Sequence, residues 1–198
     1  MQSINVAGFV RNSFIDYPGK ISFVVFLGGC NFSCPHCHNH HILCASSNKL
    51  PLAQVLDEIK EQIGFIDGVA ISGGEPTTHP HLREIITAIR ELGLAVKLDT
   101  NGSNFNVLKS LVTEKLVDFV AMDIKAPIER YIELGFVKNQ ELVKQVKQSI
   151  EFLKENRVPF MFRTTPIPEL SKNDMGKIKA LVGDAPHRTN DFVEQEDF

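Results

Sequence analysis

The sequence predicts an α/β fold built on a parallel sheet, and three observations predict it. Short apolar runs alternate with longer amphipathic ones along the 198 residues. The amphipathic runs are long enough for helical crossovers between parallel strands. Polar or glycine-rich segments follow the apolar runs in turn, as expected where ligands meet the carboxyl ends of strands. Five or six such units suit either a doubly wound sheet or an incomplete (β/α) barrel.

The elements follow in order. Residues 6–20 read as a hairpin leading into the first strand. Its turn, Asp16-Tyr17-Pro18-Gly19, places Pro and Gly where a type II turn wants them. Residues 21–27 form a Val/Phe-rich strand ending in Gly28-Gly29, and residues 52–63 carry apolar positions at helical spacing. Strand 68–72 precedes helix 81–92, which has Pro80 just before it. Strand 94–100, helix 105–114, strand 117–125 and the longest helix, 139–156, come next. Strand 158–166 and helix 172–182 close the series, with one weak strand candidate at 191–195. No linker, repeat or low-complexity segment divides the chain, so residues 1–198 read as one domain.

Composition narrows the function. Hydrophobic residues make up 43% and charged residues 23%, as in ordinary globular proteins. A net charge of −3 without a basic block gives no reason to expect nucleic acid or an anionic membrane as partner. The start lacks the features of a signal peptide, and the most apolar run, "ISFVVFLGG", is too short to span a bilayer. The expected location is therefore cytoplasmic, where disulfides are rare and clustered cysteines indicate metal or redox chemistry.

Cys30, Cys34 and Cys37 have the spacing C-x3-C-x2-C within "GGCNFSCPHCHNHH". Three thiolates from one loop suit three corners of an iron–sulfur cluster. A structural zinc site would need a fourth ligand, from Cys44 or one of His36, His38, His40 and His41. That zinc-binding interaction module is the non-enzymatic alternative. On a four-iron cluster, three ligands leave one iron open for a substrate or cofactor.

With "SGGEP" after the second strand, the cysteine loop resembles that of the radical S-adenosylmethionine superfamily. The resemblance implies a partial (β/α)6 barrel, one 4Fe-4S cluster and S-adenosylmethionine, whose amino and carboxylate groups chelate the open iron. Reductive cleavage then gives a 5′-deoxyadenosyl radical. "SFIDYPGKISFVVFLGGCNFSCPHCHN", "LDTNGSN", "VDFVAMDIKAP" and "RTTPIPEL" resemble the glycyl radical enzyme activating family. Within it they are similar to short members acting on anaerobic ribonucleoside-triphosphate reductase. The resemblance covers about residues 8–170 and is weak over 171–198.

The resemblance also assigns residues. Gly73, Gly74, Glu75 and Pro76 would meet the methionyl amine, with Glu75 as polar anchor, where the residues alone read as a glycine-rich turn. His36 would lie beside the adenine, or is simply a loop histidine. The remaining histidines read as helix start and surface. The Asp16 turn would lie near the cluster face.

Asp99, Thr100 and Asn101 at one strand end, and Asp123 with Lys125 at the next, complete the expected cofactor site together with Arg163. The dipeptide Asn101-Gly102 also reads as a simple turn. Two carboxylates beside a cofactor carboxylate repel unless neutralised, which Lys125 and Arg163 can do. Arg163 reads alternatively as a structural ion pair. A monovalent cation held by Asp99, Thr100 and Asp123 is a further expectation.

The implied activity is hydrogen abstraction from a glycine Cα of a partner glycyl radical enzyme, with flavodoxin or ferredoxin as electron donor. It needs no side-chain acid or base. The expected partner is anaerobic ribonucleoside-triphosphate reductase. Alternatives are a pyruvate formate-lyase type partner or a small-molecule radical reaction such as that of 7-carboxy-7-deazaguanine synthase.

Overall fold

A computed structural model describes residues 4–43, 50–155 and 157–194. Strands β1 (Asn5–Val6), β2 (Gly8–Ser13) and β3 (Ser22–Leu27) come first, then helix α1 (His40–Leu43), strand β4 (Leu50–Pro51) and helix α2 (Leu52–Glu61). Units β5 (Gly68–Gly73) with α3 (Leu82–Glu91) and β6 (Ala95–Thr100) with α4 (Phe105–Thr113) follow. The last are β7 (Phe119–Asp123) with α5 (Gln140–Glu155), β8 (Phe160–Thr164) with α6 (Lys172–Val182), and β9 (His187–Thr189).

The main sheet has the order β2-β3-β5-β6-β7-β8-β9, and β1 pairs separately with β4. All neighbours from β3 to β9 are parallel; β2 pairs antiparallel with β3. Each crossover adds the next strand to the same edge. A doubly wound sheet would reverse direction midway. The fold is an incomplete (β/α) barrel.

Strand alternation separates two faces. Val25, Leu27, Val69, Ile71, Val96, Leu98, Val120, Met122 and Phe162 point outward into the apolar core, where they meet Val55, Ile59, Ile85, Ile89, Leu108 and Ile150 of the helices. Complete burial of each such side chain contributes about 1.5–3 kcal/mol. The register places Phe26, Ser72, Lys97, Asp99, Ala121, Asp123 and Arg163 on the inner face.

Most sequence-based elements occur within one or two residues of their expected ends. Helix α6 matches at both ends, because Ser171 and Asp174 form a reciprocal capping box and Gly183 ends the helix at φ 63°. The strand expected at 191–195 is a correction: residues 191–194 are not strand, and Gln195 lies outside the described residues. The last strand is instead β9. Phe162 N–H donates to Pro186 O (2.8 Å) and Asn190 N–H to Thr164 O (2.9 Å), so β8 captures the chain earlier than expected. Asn156, the expected end of the longest helix, also lies outside the described residues.

The Asp16 turn is type II as read: Lys20 N–H donates to Tyr17 O (3.1 Å), and Gly19 has φ 73°. Tyr17 is buried against Phe119 and beside Gly68, at the amino ends of the parallel strands, while Asp16 lines the same cleft as the three cysteines. No helix of the described residues is long and apolar enough to cross a membrane.

Strand β9 brings a pH-sensitive contact. Thr164 Oγ1 donates its proton to Ile124 O (2.9 Å), so His187 Nε2, also 2.9 Å from that hydroxyl, carries the hydrogen. Burial lowers the His187 pKa. A lowered folded-state value means that the unfolded chain binds the proton more readily, so stability is complete above about pH 6.5 and declines below it. Urea titrations between pH 7.5 and 5 should show this decline, and His187→Gln should reduce it.

Candidate active site

The cysteine loop leaves β3 through Gly28 and Gly29 and is tied at once to the next strand end. Gly74 N–H donates to Leu27 O and Glu75 N–H to Gly29 O, both at 2.9 Å. Asn39 Nδ2 donates to Gly73 O (2.7 Å) from the far end of the loop. Phe32 anchors the middle, buried edge-on against Tyr131. The "GGEP" and cysteine segments are thus one piece of structure.

Cys30, Cys34 and Cys37 are half-buried thiols outside any disulfide, and all three line one cleft of about 390 Å³. Phe32 N–H donates to Cys30 Sγ (3.4 Å), and Asn101 Nδ2 lies 4.0 Å from the same sulfur. Burial raises the Cys30 pKa and pushes Cys34 up to about 11, against the pull of Lys125. Among the described residues no three His, Cys, Asp or Glu side chains are placed to hold a single metal ion. Zinc needs ligands that converge on one point, whereas a cubane cluster takes each thiolate on a separate iron. Three thiols in one cleft, with N–H donors at Cys30, fit the cluster. Cys44, the other sequence-derived zinc ligand, lies outside the described residues.

Glu75 lines the cleft, yet its carboxylate is almost wholly buried. It accepts from Thr77 N–H (3.1 Å), Thr77 Oγ1 (2.5 Å), Thr100 Oγ1 (2.7 Å) and Asn101 N–H (2.6 Å). Burial raises its pKa while these donors oppose the rise. The expectation of Glu75 as anchor for an amine is therefore corrected: its side chain ties the end of β5 to the end of β6. Gly73 and Gly74 beside it offer backbone to the cleft, and Pro76 opens a short turn behind them.

His36 lines the cleft with its ring already engaged. Nε2 lies 3.0 Å from Glu169 Oε1, and the ring meets Phe192 edge-on with centroids 5.2 Å apart. His38 is exposed and lines the cleft, while His40 is exposed and starts α1.

A row of charges crosses the inner face. Lys97 Nζ donates to Asp99 Oδ1, which also lies 3.5 Å from an Arg163 nitrogen. Arg163 Nε donates to Asp123 Oδ1 (2.9 Å), and Lys125 Nζ to Asp123 Oδ2 (2.8 Å). Burial would raise the Asp123 pKa, but Arg163 and Lys125 outweigh it and hold the carboxyl below its usual range. Asp99, Thr100 and Asp123, the expected trio of cation ligands, all line the cleft; Thr100 Oγ1 bonds Glu75, and both carboxylates face cations of the chain.

Sequence reasoning missed Lys97 and the polar latch that fixes the cysteine loop. In that latch Asn31 Nδ2 donates to Ser103 Oγ (2.7 Å), and Asn101 Nδ2 donates to Asn31 Oδ1 (3.1 Å). It missed Glu169 as partner of His36 as well. The alternation Lys97-Leu98-Asp99 was a readable signal, since residues two apart in a strand share a face.

A family model described as the radical SAM superfamily matches residues 24–182. The chain belongs to the radical SAM superfamily. A Methanocaldococcus jannaschii protein named as a glycyl-radical enzyme activating enzyme is 37% identical over 90% of this chain and 75% of its own length. The pyruvate formate-lyase-activating enzyme of Streptococcus mutans is 31% identical, over 83% of this chain and 66% of that one. Within the superfamily, this radical SAM protein belongs to the glycyl-radical enzyme activating enzymes. Streptococcus suis SuiB bound to S-adenosylmethionine shares the fold, with a TM-score of 0.65 at 14% identity over 86% of this chain and 39% of that chain.

Proposed function

We propose that this radical SAM enzyme holds a 4Fe-4S cluster on Cys30, Cys34 and Cys37, binds S-adenosylmethionine in the adjoining cleft, and generates a glycyl radical on anaerobic ribonucleoside-triphosphate reductase. The observation that carries this reading is the placement of three thiols in one cleft together with Lys125, Arg163, Gly73 and Gly74. Held there by Cys30, Cys34 and Cys37, the cluster would supply, with one electron from the donor and release of methionine from S-adenosylmethionine, the adenosyl-radical chemistry that removes a hydrogen atom from a partner's glycine Cα.

The chain's own residues orient and shield. Lys125 and Arg163 attract the methionyl carboxylate, and the glycine backbone receives the amine. Asn101, held between Asn31 and Ser103, fixes the loop against the cleft. His36, beside Glu169 and Phe192, closes the adenosyl end against water. The incomplete barrel leaves a side open to a loop of a partner protein. The electron donor is flavodoxin or ferredoxin, and the enzyme works in the cytoplasm as a single domain.

The test is anaerobic reconstitution, reduction and addition of S-adenosylmethionine, followed by assay of 5′-deoxyadenosine. Electron paramagnetic resonance of mixtures with anaerobic ribonucleoside-triphosphate reductase or pyruvate formate-lyase then identifies the partner. A glycyl radical on the reductase supports the reading. A radical on pyruvate formate-lyase alone overturns the choice of partner, and no deoxyadenosine with any donor overturns the chemistry.

A further inference from the structure

Lysine is almost never fully buried unless its charge is paired, because removing an ammonium from water costs several kcal/mol. Lys97 is 1% exposed, in the middle of β6 on the inner face of the sheet. The register sets it between Ala70 of β5 and Phe119 of β7, and the small Ala70 leaves room for its four-carbon stem. Its ammonium donates to Asp99 Oδ1, on the same strand two residues nearer the cysteine loop. Asp99 lines the cleft; Lys97 does not. Lys97 therefore acts through Asp99.

The charges along this row decide what it can bind. Lys97, Asp99, Arg163, Asp123 and Lys125 alternate in sign, three cations with two anions, so the formal sum is +1. Without Lys97 the sum is zero, and each carboxylate competes for the remaining cations. Asp99 would then draw Arg163 from Asp123, and Asp123 would hold Lys125 more tightly. Neither cation would be as available to an anion in the cleft. Two carboxylates that face one another in a low-dielectric site need such compensation.

We propose that Lys97 is a built-in monovalent cation: its buried ammonium does the work of a potassium or sodium ion at Asp99, and so positions Arg163 and Lys125 for the carboxylate of S-adenosylmethionine. A lysine ammonium is a compact point charge, comparable in kind to a small inorganic cation. It differs in being covalently held at full occupancy. The inference rests on the reading of the cleft as an S-adenosylmethionine site.

The test compares the reconstituted wild type with Lys97→Ala and Lys97→Met. Each is measured under anaerobic, unreduced conditions in potassium, ammonium and tetramethylammonium chloride at equal ionic strength. Equilibrium binding of S-adenosylmethionine and the melting temperature are both read. Wild type should give the same values in all three salts. Lys97→Ala leaves a polar void beside Asp99 that admits water-sized ions. It should bind S-adenosylmethionine at least ten-fold more weakly in tetramethylammonium and recover in ammonium or potassium. Lys97→Met fills the void with an apolar stem, so it should bind weakly in every salt.

Recovery of Lys97→Ala by a small cation is what a merely structural lysine would not give. The proposal is overturned by a wild type that needs potassium, by variants that bind as wild type does in tetramethylammonium, or by weak binding of Lys97→Ala that no small cation relieves. Should both variants fail to fold in every salt, the wild-type salt series decides alone. Wild type that binds no S-adenosylmethionine would defeat the proposed function, while salt-dependent melting of Lys97→Ala would still report the exchange of ammonium for ion.

Discussion

Replacing Cys30, Cys34 or Cys37 singly by alanine should abolish both the visible absorption of the reconstituted cluster and 5′-deoxyadenosine formation, while Cys44→Ala should preserve both. Each of the three thiols lines the same cleft, and each would occupy its own corner of the cluster, so none can substitute for another. The effect on folding should be small by comparison. The three side chains are only half-buried, and the loop is held by other means: Phe32 on Tyr131, Ser33 N–H on Phe136 O (3.0 Å), and the Asn31–Ser103 bond. Far-ultraviolet circular dichroism of the alanine variants should overlay that of the cluster-free wild type. Loss of the cluster in Cys44→Ala would instead make that residue a ligand and leave no iron open for the cofactor.

The second large effect is expected at Gly73. Its φ of 117° lies where L side chains are strained, and it faces Leu27 of β3 in the parallel register. A methyl group here would sit 2.5 Å from the Leu27 amide nitrogen and closer still to its carbonyl oxygen. Both atoms are backbone, and Leu27 O also accepts from Gly74 N–H, so neither can move without breaking the join between the strands. Gly73→Ala should cost roughly 3 kcal/mol or more, from strain and overpacking together. It should also lower cluster occupancy, because the cysteine loop begins one residue after Leu27. Urea unfolding measures the first effect and iron content the second. Gly8→Ala is the control: its added methyl meets nothing within 4 Å, and its stability should stay within about 0.5 kcal/mol of wild type. Equal losses at both glycines would refute the steric argument.

The helices and central strands were legible because their apolar spacing is long and regular, and the turn at Pro18-Gly19 because its backbone demands those residues. The three cysteines and "GGEP" were legible as motifs. Strand β9 was not: it has three residues, two of them exposed, and forms because β8 offers open hydrogen bonds. The side chains of Asp99 and Thr100 alternate across the strand, so Asp99 faces Lys97 while Thr100 Oγ1 reaches Glu75. Glu75 was misread. Its four donors come from segments on either side of a helix and a strand, and no local pattern announces that convergence. Lys97 looked like an ordinary charged residue in a strand until burial showed otherwise.

A sheet that stops short of closing keeps two edges, which could recruit a second chain through exposed backbone. Here the edges are poor templates. At one end, β9 is only three residues long and includes Arg188. At the other, β2 exposes Arg11 and Asn12, pairs Arg11 with Glu58, and has an irregular register between Val10 and Ser13. The opening that could admit a partner's loop is thus bordered by strands ill-suited to indiscriminate β-pairing. Access for a protein substrate and resistance to aggregation are reconciled at the same two edges.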